Sequence, residues 1–124
     1  MAPQQIPPRK SGFAHFLAAA SYSVAGLKRL SRESAFRQEA GLGLLAVLVL
    51  AISGAPLLAL CGMVALVLLL IATEALNTAL EVLVDHLSPQ WSQFAKDAKD
   101  LGSLAVACVA VVAIGYFVLA LCWA

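Results

Sequence analysis

One stretch of this chain sets acids at helical spacing inside an apolar run: Thr73-Glu74-Ala75-Leu76-Asn77-Thr78-Ala79-Leu80-Glu81-Val82-Leu83-Val84-Asp85. At about 100° per residue, Glu81 and Asp85 fall within about 20° of Glu74, and Asn77 lies about 60° to one side. One stripe of an otherwise apolar helix therefore presents three carboxylates and an amide. Glu74 stands about 16 Å along the helix from Asp85, within the hydrocarbon layer or close to it if the helix spans a membrane. An acid at that depth costs about 2.5 kcal/mol or more unless it faces protein, water or a cation, so function is the first hypothesis. A lone acid can also be hydrogen-bonded across a helix interface to hold an oligomer together. A whole stripe fits that reading less well, because stacked carboxylates repel unless a cation or a proton intervenes.

A divalent cation suits such a stripe. Mg²⁺ takes one or two protein carboxylates and completes its shell with water and phosphate oxygens. A third carboxylate is then available as a general base. Glu33 and Glu39 flank the start of one apolar run, and Lys99 and Asp100 the start of another. Metal ligands, a base and a cation for phosphate are the ingredients of phosphoryl transfer. The chain has no Gly-x-x-x-x-Gly-Lys-Ser/Thr loop, so a nucleotide must dock on helix ends.

The elements that must position these groups follow from where charge is missing. The 124 residues are 62% hydrophobic and 12% charged, more apolar surface than a soluble domain of this size can hide. The charged residues lie in two windows, Arg9 to Glu39 and Glu74 to Asp100; Ala40–Thr73 and Leu101–Ala124 carry none. Crossing a bilayer core takes about 20 residues of helix, and spanning segments are helical because lipid offers the backbone no hydrogen-bond partner. Ser53-Gly54-Ala55-Pro56 is a turn signal with proline placed to open a helix. We expect an all-α membrane protein with three transmembrane helices at about 38–53, 57–85 and 99–123.

The basic residues are Arg9, Lys10, Lys28, Arg29, Arg32 and Arg37 before the first span and Lys96 and Lys99 between spans two and three. By the positive-inside rule the N-terminus and that second loop are cytoplasmic and the C-terminus faces outward. Both charged windows then meet on the cytoplasmic side. Ahead of the spans, Phe13, Phe16, Leu17, Ala20, Val24 and Leu27 recur at three- and four-residue steps. This predicts an amphipathic helix over about 11–33, lying on the membrane surface or packed against the other helices. Residues 1–10, with Pro3, Pro7 and Pro8, are expected to form a mobile tail. No cleavable signal peptide is expected, since the first long apolar run begins near Ala40. Cys61, Cys108 and Cys122 sit in apolar runs without a ligand or disulfide spacing and read as packing residues. A net charge of +1 gives no case for nucleic acid.

At these residues the chain resembles the bacterial integral-membrane diacylglycerol kinase family. The matching stretches are Glu33-Ser34-Ala35-Phe36-Arg37-Gln38-Glu39, Glu74-Ala75-Leu76-Asn77-Thr78-Ala79-Leu80-Glu81 with Asp85, and Ala98-Lys99-Asp100-Leu101-Gly102-Ser103. Gly12-Phe13 and Ser21-Tyr22-Ser23 match more loosely, and the similarity covers about residues 11–123. The resemblance implies an inner-membrane lipid kinase that uses ATP and Mg²⁺, a single kinase domain over 11–124, and a homotrimeric bundle with active sites shared between subunits at the cytoplasmic face. It implies Glu74 as the base and Glu33 and Glu81 as metal ligands that also meet ATP. It puts His15, Tyr22, Asn77, Lys99 and Asp100 in the nucleotide pocket, and Arg37, Gln38, Glu39 and Ser103 near the lipid. The implied product is phosphatidic acid from diacylglycerol; a related branch phosphorylates undecaprenol instead.

The chain departs from the family pattern in places. His15 stands where the family often carries arginine toward the nucleotide; by itself it reads as a polar-face residue, and His86 as a marker of the membrane boundary. Ala18, Val24 and Ala25 replace more polar or aromatic residues, and the surface helix is one residue shorter before Glu33. Two other classes of function compete. A small ion-coupled transporter explains a membrane glutamate but places it near the midplane, with no reason for Glu33, Glu81 and Lys99-Asp100 to gather on one face. A membrane scaffold explains the apolar helices and nothing else.

Overall fold

The computed structural model describes residues 11–124. The stretch expected as a mobile tail, 1–10, lies outside the described residues. Four helices follow in order: α1 (Gly12–Leu30), α2 (Ser34–Ile52), α3 (Leu57–Leu87) and α4 (Gln93–Leu121). Among the described residues there is no strand. α2, α3 and α4 are each long and apolar enough to cross a membrane. The protein is an all-α membrane protein.

Short connections make α2, α3 and α4 successive antiparallel neighbours. The first, at 53–56, reads directly off the sequence. Gly54 takes φ +82, the left-handed region that favours glycine. Around it the Gly54 N–H donates to Ala51 O and the Ala55 N–H to Leu50 O, so the last carbonyls of α2 are satisfied. Leu50 and Ala55, the apolar flanks of that cap, are both buried in the core cluster. Pro56 then stands at the N-cap of α3, where its missing N–H is no loss. At the second connection Ser92 caps α4, its Oγ accepting from the Ala95 N–H at 3.2 Å.

Two boundaries differ from the sequence expectation. α4 begins at Gln93 rather than near Lys99, because the Ser92 cap starts the helix a turn and a half earlier, outside the apolar run. The surface helix and the first span are separated at Ser31-Arg32-Glu33, and α2 begins at Ser34. That break is tied by Arg37, whose Nη1 donates to Arg32 O at 2.8 Å and to Ser31 O at 3.2 Å.

α3 and α4 pack along most of their length through small residues, as helices in lipid do. Ala59, Met63, Ala113 and Ala120 are buried there, and the Tyr116 hydroxyl donates to Ala59 O at 3.1 Å. Gly62 makes room for that ring; a Cβ at position 62 would run into the Tyr116 hydroxyl. α2 packs on α3 at Gly43, where a Cβ would meet Val67 Cγ1 at 2.8 Å. α1 makes its main contact with α3 through its last turn, where Leu30 is buried. Its apolar face, Phe13, Phe16, Leu17, Val24 and Leu27, is left uncovered by protein. Of the two settings expected for this helix, packing against the bundle accounts only for its C-terminal end.

Candidate active site

The helices differ in length in a way that sets the depth of the acids. α2 has 19 residues and α3 has 31, so α3 outruns its neighbour toward the second connection. Counted from the 53–56 turn at 1.5 Å per residue, Glu74 stands about 26 Å along α3, while Glu39 and Glu33 stand about 20 and 28 Å along α2. Glu74 is therefore level with the start of α2, near one edge of a hydrocarbon layer about 30 Å thick. Glu81 and Asp85 stand beyond it, on the part of α3 that overhangs.

Glu74 is 5% exposed, and it and Thr78 are the buried polar side chains of the described residues. The charges of Glu81 and Glu33 reach Glu74, and the charge of Glu74 reaches Glu39. Glu33, Glu39 and Glu81, from the start of α2 and from α3, are thus each within electrostatic reach of Glu74. Glu39 places Oε2 out of solvent with no hydrogen-bond partner, and Asn77 does the same with Oδ1. Asn77 Nδ2 donates to Glu81 Oε1 at 3.3 Å, one turn along α3. Buried polar atoms without a partner are costly, which marks this cluster as built for something other than packing.

The basic residues are shared out differently from the simple pairing of neighbours. Lys99 bridges to Asp85 across the α3–α4 seam at 2.5 Å, whereas Asp100 pairs with Lys96 one turn before it. Arg29, at the end of α1, holds Glu33. Each of these cations is partly or largely exposed and within one side-chain rotation of solvent.

The other candidate residues are less gathered. His15 and Tyr22 stand exposed on α1, Tyr22 at 70%. Gln38, Ser103 and Arg37 are exposed, and Arg37 uses one nitrogen on the α1–α2 break. Between α1 and α3 runs a largely apolar groove of about 650 Å³, lined by Ser23, Gly26, Leu27, Arg29 and Leu30 on one side and by Leu68 to Val82 on the other. On the α3 wheel this groove is offset about a quarter-turn from the acidic stripe, with Ile71 and Thr78 on the shared edge. A lipid lying in it would meet the acids sideways, past Thr78. Thr78 carried no signal in the sequence beyond its apolar surroundings; its role at this edge is visible only once α1 is docked. Gly102 was legible only as part of a motif, yet it decides how near α4 comes to Asn77.

Among the described residues no three His, Cys, Asp or Glu side chains form a metal cage. The donors present are hard carboxylates, without imidazole or thiolate. Glu81 keeps an oxygen free of Asn77, and Glu33 is held by a single arginine. Carboxylates of this kind are the donor type of a cation that draws the rest of its shell from water and phosphate, which is the habit of Mg²⁺.

Comparison with known proteins agrees with the motifs. The family model for prokaryotic diacylglycerol kinase matches residues 21–121. A diacylglycerol kinase from Sinorhizobium sp. is 46% identical over 103 residues, 83% of this chain and 75% of that protein. The diacylglycerol kinase of Escherichia coli K12 is 34% identical over 105 residues, 84% and 86% of the two chains. That of Haemophilus influenzae is 32% identical over 99 residues, 79% and 84%. With the match running from α1 to the end of α4 and through every acid of the cluster, this chain belongs to the prokaryotic diacylglycerol kinase family and is a membrane lipid kinase.

Proposed function

We propose that the protein transfers the γ-phosphoryl group of Mg-ATP to the hydroxyl of diacylglycerol, giving phosphatidic acid and ADP, at the cytoplasmic face of the bacterial inner membrane. The observation that carries this reading is the burial of Glu74 at the inner edge of the apolar layer, among three further carboxylates and beside a groove of lipid size. A hydroxyl carried on a lipid arrives at that depth; a soluble substrate does not.

The lipid oxygen forms a bond to the γ-phosphorus as the bond to the β–γ bridging oxygen breaks and ADP leaves. Glu74 accepts the hydroxyl proton and later returns it to water. Such a proton transfer contributes about 10²- to 10⁴-fold in rate. Glu33 and Glu81 would hold Mg²⁺, which when bound neutralises the phosphate oxygens. Asn77 orients Glu81. Lys99 and Asp100 sit at the overhanging seam, where Lys99 can exchange Asp85 for a phosphate oxygen. His15 and Tyr22 face the nucleotide from α1, and Arg37, Gln38, Glu39 and Ser103 border the lipid. The site is completed by a neighbouring subunit in a homotrimer, which is what the resemblance implies.

The test is radiolabel transfer from ATP by purified protein in mixed micelles with Mg²⁺, with diacylglycerol and undecaprenol in separate tubes. Label on diacylglycerol is the expected result. Label mainly on undecaprenol keeps the mechanism and changes the substrate. No label on either, with the protein folded, overturns the reading in favour of a transporter or scaffold.

A further inference from the structure

Gly102 lies on α4 directly opposite the Asn77–Glu81 pair. A Cβ built at Gly102 would collide with Asn77 Oδ1 and come within 3.3 Å of Leu80 Cδ2. Asn77 cannot yield without cost to its neighbour, because its other amide atom, Nδ2, is the donor to Glu81 Oε1. Its Oδ1, the atom that faces Gly102, is buried and has no partner in the protein. The amide is thus pinned from one side by Glu81 and bounded on the other by the absence of a side chain. Nothing but glycine leaves both conditions in place.

We propose that Gly102 is a positioning residue: by leaving its side-chain space empty for Asn77 Oδ1 it keeps Asn77 oriented to donate to Glu81, and so sets the affinity for Mg-ATP. This rests on the reading of Glu81 as a ligand of Mg-ATP. A larger residue turns the Asn77 side chain about its own bonds, so the helices need not part. The Glu81 carboxylate then loses its fixed donor while α3 and α4 stay packed. Removal of a group that orients a metal ligand commonly costs about 10- to 100-fold in affinity.

The same two helices supply a control. Gly62 is close-packed in the same manner, against the Tyr116 hydroxyl, far from the acids. Gly102→Ala and Gly62→Ala therefore crowd the same seam at opposite ends. In detergent micelles we would titrate each variant with a non-hydrolysable ATP analogue and Mg²⁺, follow thermal unfolding, and measure KM for Mg-ATP and kcat. The expected result is an analogue Kd and a KM raised about 10- to 100-fold in Gly102→Ala only, with both variants losing comparable thermal stability. An unchanged Kd in Gly102→Ala, or an equal rise in Gly62→Ala, overturns the proposal. If Gly102→Ala does not fold, Asn77→Ala/Gly102→Ala decides. Recovery of folding identifies the amide as the obstacle, and failure despite the room made overturns the proposal. Wild-type protein that binds the analogue with Mg²⁺ but phosphorylates no lipid would sink the functional reading while leaving this test intact.

Discussion

Glu74 is buried and, among the described residues, no side chain hydrogen-bonds to it, so its carboxylate does not brace the fold through a polar contact; its proposed role is that of the base. Replacing it by glutamine keeps the size and a hydrogen-bond acceptor but removes the carboxylate that can take up a proton. Glu74→Gln should lose about 10²-fold or more in phosphoryl transfer and keep a wild-type melting profile. Near-normal transfer in the same micelle assay would remove Glu74 from the role of base. The stripe of Glu74, Asn77, Glu81 and Asp85 was legible in the sequence, because acids at helical spacing in an apolar run have few uses. The partners were not. Lys99 goes to Asp85 because antiparallel packing brings α4 against α3, whereas Asp100 meets Lys96 one turn away on its own helix.

Among the elements, α2 depends on how closely it can approach α3. Gly43 is buried and faces Val67, a β-branched side chain that has little freedom to turn aside. Gly43→Ala should destabilise the bundle by about 1–3 kcal/mol through overpacking. Gly41→Ala, two positions away and facing open space, should be neutral or slightly stabilising. Denaturant titration of the two variants in micelles separates them; equal effects would mean that the Gly43 contact does not set the helix approach. The three spans and the 53–56 turn were readable because charge depletion and glycine–proline chemistry are local signals. The first turns of α4 lie outside the apolar run that marks a span, so apolar length gives no sign of them, although Ser92 is an ordinary capping residue. The end of α1 is set by Arg37 reaching back across the break, a contact no local pattern announces.

As a whole, the molecule keeps very little inside: among the described residues Leu50 is the one large fully buried side chain, and most leucines and valines of the spans face outward. That is stable only where lipid or further subunits are the solvent. The positive-inside rule predicts its orientation, with the N-terminus and the α3–α4 connection cytoplasmic. In a variant with its native cysteines replaced by alanine, Ser53→Cys should react with an impermeant maleimide on intact cells, and Gln90→Cys only after lysis. The reverse pattern would invert the topology. Trp91 and Trp123 are exposed near opposite ends of α4, as anchors at the two interfaces should be. The shortness of α2 has one more consequence. Its uncharged stretch, Ala40–Ile52, covers about 20 Å against a hydrocarbon layer of about 30 Å. The adjoining leaflet must pinch inward there to meet Glu39 and Arg37. A dimple in the bilayer beside α2 brings the head groups of neighbouring lipids to the level of Glu39, so the membrane's own deformation leaves Glu74 at the interface rather than within hydrocarbon.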